Sequence, residues 1–123
     1  MDKTEAIELE KLVSKIQIFK GAEDSPLLAP RGVFLINNQL LVADTAQNRL
    51  FIWNQLPSSE FQSPDIVLGQ EAKAKTGRNA SGTVGASSLC YPSGIWSDGE
   101  KLMVADAWNH RVLIWLQMPT EDG

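Results

Sequence analysis

Two carboxylate–guanidinium pairs are the first candidates for chemistry. Asp44 precedes Arg49 by five residues, and Asp106 precedes Arg111 by the same five. Taken singly, such an aspartate could bind a cation and such an arginine an anion. Taken together they satisfy each other. A short carboxylate at a turn accepts backbone N–H bonds, and a nearby arginine closes on it through a planar fork of donors. Recurrence of the pair favours this second reading, in which each ties one turn together. The rest of the reactive inventory is thin. His110 is the sole histidine, and one imidazole cannot build a zinc site that takes three or four protein ligands. A packing role is expected for it. Cys90, the sole cysteine, lies between Leu89 and Tyr91 with no adjacent base. It reads as a small buried hydrophobe rather than a nucleophile. Gly77-Arg78-Asn79-Ala80-Ser81-Gly82 has the look of a phosphate loop but lacks the Lys-Ser/Thr that would make it one. Lys73, Lys75 and Arg78 form a small basic patch on the same segment, read as a solvated face. No catalytic residue, cofactor or metal ligand is expected.

These residues must be held by elements, and the elements repeat. Residues 27–57 (LLAPRGVFLINNQLLVADTAQNRLFIWNQLP) align without a gap on residues 89–119 (LCYPSGIWSDGEKLMVADAWNHRVLIWLQMP). The offset is constant at 62 positions, 111 − 49 for the arginines and 92 − 30 for the prolines. A fixed internal period marks a repeat architecture. Each copy predicts three short strands: Gly32–Ile36, Leu40–Ala43 and Arg49–Trp53 in the first, Gly94–Ser97, Leu102–Ala105 and Arg111–Trp115 in the second. Asn, Asp, Gly and Pro supply the turns between them. A fourth strand, Asp65–Gly69, follows the first copy only. The alternating segment Lys15–Lys20 is the remaining strand candidate, and the count balances when it completes the second unit. Residues 2–13 carry a helical spacing of Ala6, Leu9, Leu12 and Val13 after Asp2 and Glu5 at capping-box spacing.

The expected organisation is therefore a helical extension at 1–14, the closing strand and first unit at 15–69, a Gly-rich loop at 70–88, the second unit at 89–119 and a tail at 120–123. Small polar residues make the loop flexible or extended by default. Trp53 and Trp115 recur in phase and read as core. Trp96 and Trp108 align with Phe34 and Ala46, so they do not recur as tryptophans, and Trp108 falls on a turn. An exposed aromatic there is a candidate anchor for a partner.

Composition narrows the classes. A net charge of −4 argues against nucleic acid, which is met by a basic face. The start of the chain lacks a signal peptide's apolar run, and no stretch approaches the length of a membrane span. The expected location is the cytoplasm, with no membrane partner.

Ala105-Asp106-Ala107-Trp108-Asn109-His110-Arg111-Val112 resembles an NHL repeat. The surrounding pattern agrees: Pro92-x-Gly94-Ile95, Leu102-x-Val104-Ala105-Asp106, Asn109-x-Arg111-Val112 and Trp115. The first copy repeats it through Pro30, Gly32, Val33, Leu40, Val42, Ala43, Asp44, Arg49, Leu50 and Trp53, with Gln47 in place of the family asparagine. The resemblance covers roughly residues 15–119. It implies an all-β propeller, usually of six four-stranded blades, in which Asp44, Arg49, Trp53, Asp106, Asn109, His110, Arg111 and Trp115 are structural motif residues. Arg31 and Ser93 would then lie at the mouth of the central channel.

Propellers need about four to eight blades to close. Two blades leave apolar faces bare, and such faces mark interaction sites. Three chains of two blades would supply the family number, so a homotrimer closed by rotational symmetry is expected. The alternative is a fragment of a longer propeller. The expected function is a binding scaffold for a protein, peptide or small ligand, with Arg31, Ser93, Trp96 and Trp108 as candidate binding residues. A propeller enzyme of lyase or hydrolase type is one alternative, and a multivalent sugar-binding ring is another.

Overall fold

Phe19 and residues 26–123 are described by the computed structural model. The helix expected at 2–13 lies outside them, as does the strand expected at 15–20 apart from Phe19. The described chain is all-β, with two antiparallel sheets and three short 3-10 turns. Sheet one runs in sequence order through β1 (Gly32–Ile36), β2 (Gln39–Asp44), β3 (Arg49–Trp53) and β4 (Ile66–Leu68). Sheet two is β5 (Pro92–Ser97), β6 (Leu102–Asp106) and β7 (Arg111–Trp115).

Local sequence explains the hairpins. Asn37 and Asn38 both take positive φ (48° and 65°), and Ile36 pairs with Gln39. Two left-handed residues make the primed turn whose twist suits a two-residue hairpin, and asparagine tolerates that geometry. The second unit turns differently. Asp98 Oδ1 accepts the N–H groups of Glu100 (2.9 Å) and Lys101 (2.7 Å), and pairing begins only at Ser97 with Leu102. Those amides, Lys101's first, hold the Asp98 carboxyl below the usual carboxylate range.

Between β2 and β3 a 3-10 turn ends in left-handed Asn48 (φ 58°), and between β6 and β7 another ends in left-handed His110 (φ 56°). The register sets Asp44 opposite Arg49 and Asp106 opposite Arg111. β4, at the edge of sheet one, is met from outside by the last residues. Val67 donates its N–H to Asp122 Oδ1 and accepts a bond from the Gly123 N–H, each 2.9 Å. Paired edges resist further strand addition.

The two sheets stack face to face in the same sense. Phe34, Leu41, Leu50, Ile52, Ile66 and Leu68 form one face of sheet one and pack against Leu89, Ile95, Leu102, Val104, Leu113 and Trp115 of the second unit. The opposite face of sheet one holds a smaller cluster of Leu27, Val42, Phe51, Trp53 and Val67, against which Phe19 and Leu40 lie. Phe19 meets Trp53 edge-on at 5.1 Å. β3 and β4 are thus buried on both faces, as their unbroken apolar runs require, whereas Val33 and Leu35 of β1 stay exposed on the far face of sheet one. Sheet two is covered on one face only: Trp96, Val112 and Ile114 are exposed on the other. Trp53 is fully buried, whereas its counterpart Trp115 is half-buried.

Residues 70–88 depart from the flexible or extended loop expected of their composition. They carry a 3-10 turn at Arg78–Ser81. The segment is tied down along its length: Arg49 Nη1 donates to the Lys73 carbonyl, Asn48 Nδ2 to that of Thr76, and buried Gln70 Nε2 to that of Gly77. Among the described residues no helix is long and apolar enough to cross a membrane.

Candidate functional site

The strand ends that carry the two aspartates converge at one end of the molecule. Asp44 is fully buried. Its Oδ1 accepts the N–H groups of Leu28 (3.2 Å) and Ala29, and its Oδ2 accepts Arg49 Nε at 2.9 Å and Nη2 at 2.8 Å. Asp106 is arranged alike. Oδ1 takes the Cys90 N–H at 2.8 Å, and Oδ2 takes Arg111 Nε and Asn109 Nδ2, both at 2.8 Å. At Asp44, where Gln47 stands in place of asparagine, the second nitrogen of Arg49 fills the corresponding place. Each arginine then spends its remaining donors on carbonyls of neighbouring segments: Pro26 and Lys73 for Arg49, Gly85 and Ser88 for Arg111. Each pair therefore clamps three things at once: its hairpin turn, the backbone leading into its unit, and a stretch of neighbouring loop. No buried side-chain nitrogen or oxygen among the described residues lacks a partner, and both oxygens of each carboxylate are engaged within the protein.

On this rigid end lies an aromatic stack that the repeat does not share. Tyr91 and Trp108 stack with ring centroids 4.1 Å apart and planes 11° from parallel. The Arg78 guanidinium lies 5.5 Å from the Trp108 ring centre, and the Arg31 guanidinium 6.0 Å from that of Tyr91. The order is Arg31, Tyr91, Trp108, Arg78, a cation at each end of a pair of π faces. Backbone bonds hold it in place. Tyr91 takes a left-handed conformation (φ 56°) and donates its N–H to Asn48 Oδ1 at 3.0 Å, while the Trp108 N–H donates to the Cys90 carbonyl. A bulky residue with positive φ persists only where its surroundings fix it. Arg78 is positioned by its neighbour: Asn79 accepts from Asn109 Nδ2 at 2.8 Å, linking the loop to the Asp106 clamp. Trp108 remains 53% exposed, and Arg31 and Arg78 are exposed as well.

Of the four residues expected to bind a partner, the structure brings Arg31 and Trp108 into one stack. Ser93 is nearby in the backbone, with its carbonyl against Gly32. Trp96 lies apart, on the bare face of sheet two with Met103 and Val112. His110 is exposed rather than packed. The reason is positional: its counterpart Asn48 is buried because the second unit covers it, and nothing in the described chain follows the second unit in that way. Cys90 is buried, as its flanks imply. Among the described residues no three His, Cys, Asp or Glu side chains gather as a metal-holding group.

Tyr91, Asn48 and Gln70 were not singled out by the sequence. A signal for Tyr91 did exist. Aligning the copies pairs Tyr91 with Ala29 and Trp108 with Ala46. These are two places where the second copy replaces alanine by an aromatic, and the two rings touch. Asn48 and Gln70 gave none, since their partners are backbone groups distant in sequence or in a loop without pattern. No protein-family model matches the chain, and a search of the curated proteins returns no match.

Proposed function

We propose that the chain is a pair of NHL-type propeller blades that closes a six-blade ring as a homotrimer and acts as a binding module. Its ligand surface is the turn end of the ring, and the ligand class we favour is an acidic peptide segment of a protein partner. The observation that carries the binding reading is the Arg31–Tyr91–Trp108–Arg78 stack. It combines exposed aromatic area with two guanidinium groups, in a chain whose net charge is −4. Aromatic and arginine side chains dominate the energetics of binding surfaces, and guanidinium forks suit carboxylates. Two stacked sheets of the same sense support the ring. The enzyme alternative draws less support, because the carboxylates at this end are occupied by their arginines and by backbone amides.

An array of acidic peptides read with wild type, Trp108→Ala and Arg78→Ala tests the binding reading. Trp108→Ala is expected to weaken capture on the order of 30-fold, as a central anchor does. Its melting temperature should change little, since the indole is half outside. Undiminished peptide capture by both variants would overturn the reading. So would glycan-array binding that depends on Trp108 with no peptide bound, which is the signature of the sugar-binding alternative.

A further inference from the structure

The bare face of sheet two and a cavity on the far side of sheet one are aligned versions of two surfaces that already meet inside the chain. Trp96, Met103, Val112 and Ile114 occupy the positions of Phe34, Leu41, Leu50 and Ile52. In sheet one those residues press into the second unit, against Leu89, Ile95, Leu102, Val104 and Met118. In sheet two they face outward, Trp96 47% exposed and Val112 and Ile114 more so. The receiving surface also has its counterpart. A cavity of about 480 Å³ is lined by Leu27, Val33, Leu40, Val42 and Leu56. Each aligns, at the same 62-residue offset, with a second-unit residue packed in the core with the Phe34 face: Leu89, Ile95, Leu102, Val104 and Met118.

We infer that the occupant of this cavity is the Trp96 side chain of a second copy of the chain, with Met103 beside it. The contact is head-to-tail: the bare face of one copy meets the cavity face of the next. Self-association through two different patches is heterologous and propagates until rotation closes it. The junction between copies lacks polar links that the internal junction has. Thr45 Oγ1 donates to the Pro92 carbonyl at 2.6 Å inside the chain, and the corresponding residue in the second unit is Ala107. The inter-copy seam therefore rests on apolar burial and opens on dilution before the two sheets of one chain separate. This inference deepens the proposed ring and relies on it only for the sense of stacking, not for the number of copies.

Complementation between two defective chains tests it. Trp96→Glu spoils the inserted face and leaves the cavity intact. Val33→Glu spoils the cavity and leaves Trp96 intact. Both positions are exposed in the single chain (Val33 68%), and far-UV circular dichroism checks that both variants fold. Each alone is expected to run as a single 13.5 kDa chain. Mixed in equal amounts they are expected to form a one-to-one pair, since one intact face of each kind remains. Failure of the mixture to pair, with both variants folded, would overturn the inference. So would wild-type assembly retained by Trp96→Glu alone. If either variant does not fold, Trp96→Ala is measured alone: it is expected to need at least a tenfold higher concentration than the wild type to assemble, and assembly at the wild-type concentration would overturn the inference. A wild-type particle of some number other than three, with complementation intact, would support this contact and refute the six-blade ring.

Discussion

Asp44→Asn is expected to lower the unfolding free energy by about 3–5 kcal/mol, the usual consequence of removing one partner of a buried ion pair. The pair is fully enclosed: the Arg49 side chain is 4% exposed and that of Asp44 0%. Asparagine would offer Arg49 an amide in place of a charge and leave the guanidinium stranded, stacked on Phe51 at 4.5 Å. It would also weaken the acceptor for Leu28 and Ala29, loosening the lead into β1. The second copy supplies an internal control. Arg111 is 26% exposed and can turn its charge to water, so Asp106→Asn should cost less, about 1–3 kcal/mol for the bonds left unsatisfied. Urea unfolding followed by tryptophan fluorescence gives both values. Equal losses, or a loss below about 1 kcal/mol at Asp44, would contradict the clamp. A normally folded Asp106→Asn that no longer binds the partner peptide would turn this carboxylate from a clamp into part of the site.

Gly32→Ala should also destabilise the chain, while its aligned partner Gly94→Ala should leave the single chain intact. A Cβ on Gly32 would lie 1.9 Å from the Ser93 carbonyl oxygen, which is backbone and cannot swing aside. The first strands of the two sheets must then move apart, opening the shared core of Leu41, Leu50, Leu102 and Val104. Overpacking of this kind typically costs about 1–3 kcal/mol. A Cβ on Gly94 meets nothing closer than the Ala105 methyl at 3.6 Å, an ordinary contact. Thermal melting of both variants is the measurement. Equal melting temperatures would show that the two sheets do not depend on this close approach. In the proposed ring the space beside Gly94 is taken by the next copy, so Gly94→Ala should reduce association without reducing the stability of the isolated chain.

How much of this was readable beforehand depends on what each residue answers to. β1, β3 and β7 agree with the sequence expectation residue for residue, and the other strands differ by a residue or two at their ends. Turn residues and apolar runs are local signals, and the repeat states each of them twice. The Asp–Arg pairing was legible for the same reason, since a five-residue separation across a tight turn leaves the two side chains opposite each other. The Tyr91–Trp108 stack was harder to read. It depends on a left-handed tyrosine backbone fixed by Asn48, 43 residues away, and no local pattern encodes that. The loop at 70–88 misled for a physical reason. Its own side chains are mostly small and polar, and several of the groups that tie it, Arg49, Asn48 and Arg111, lie elsewhere in the chain. Trp96 and Trp108 both depart from the repeat, yet the first lies on a sheet face and the second on a turn end, which suits them to different partners.

The ring is the claim on which the rest of the proposal depends, and the solution mass of the full chain tests it most directly. Light scattering on the purified protein, over a dilution series, is expected to give three times 13.5 kDa at the upper concentrations. A folded, monodisperse single chain across the whole series would contradict it.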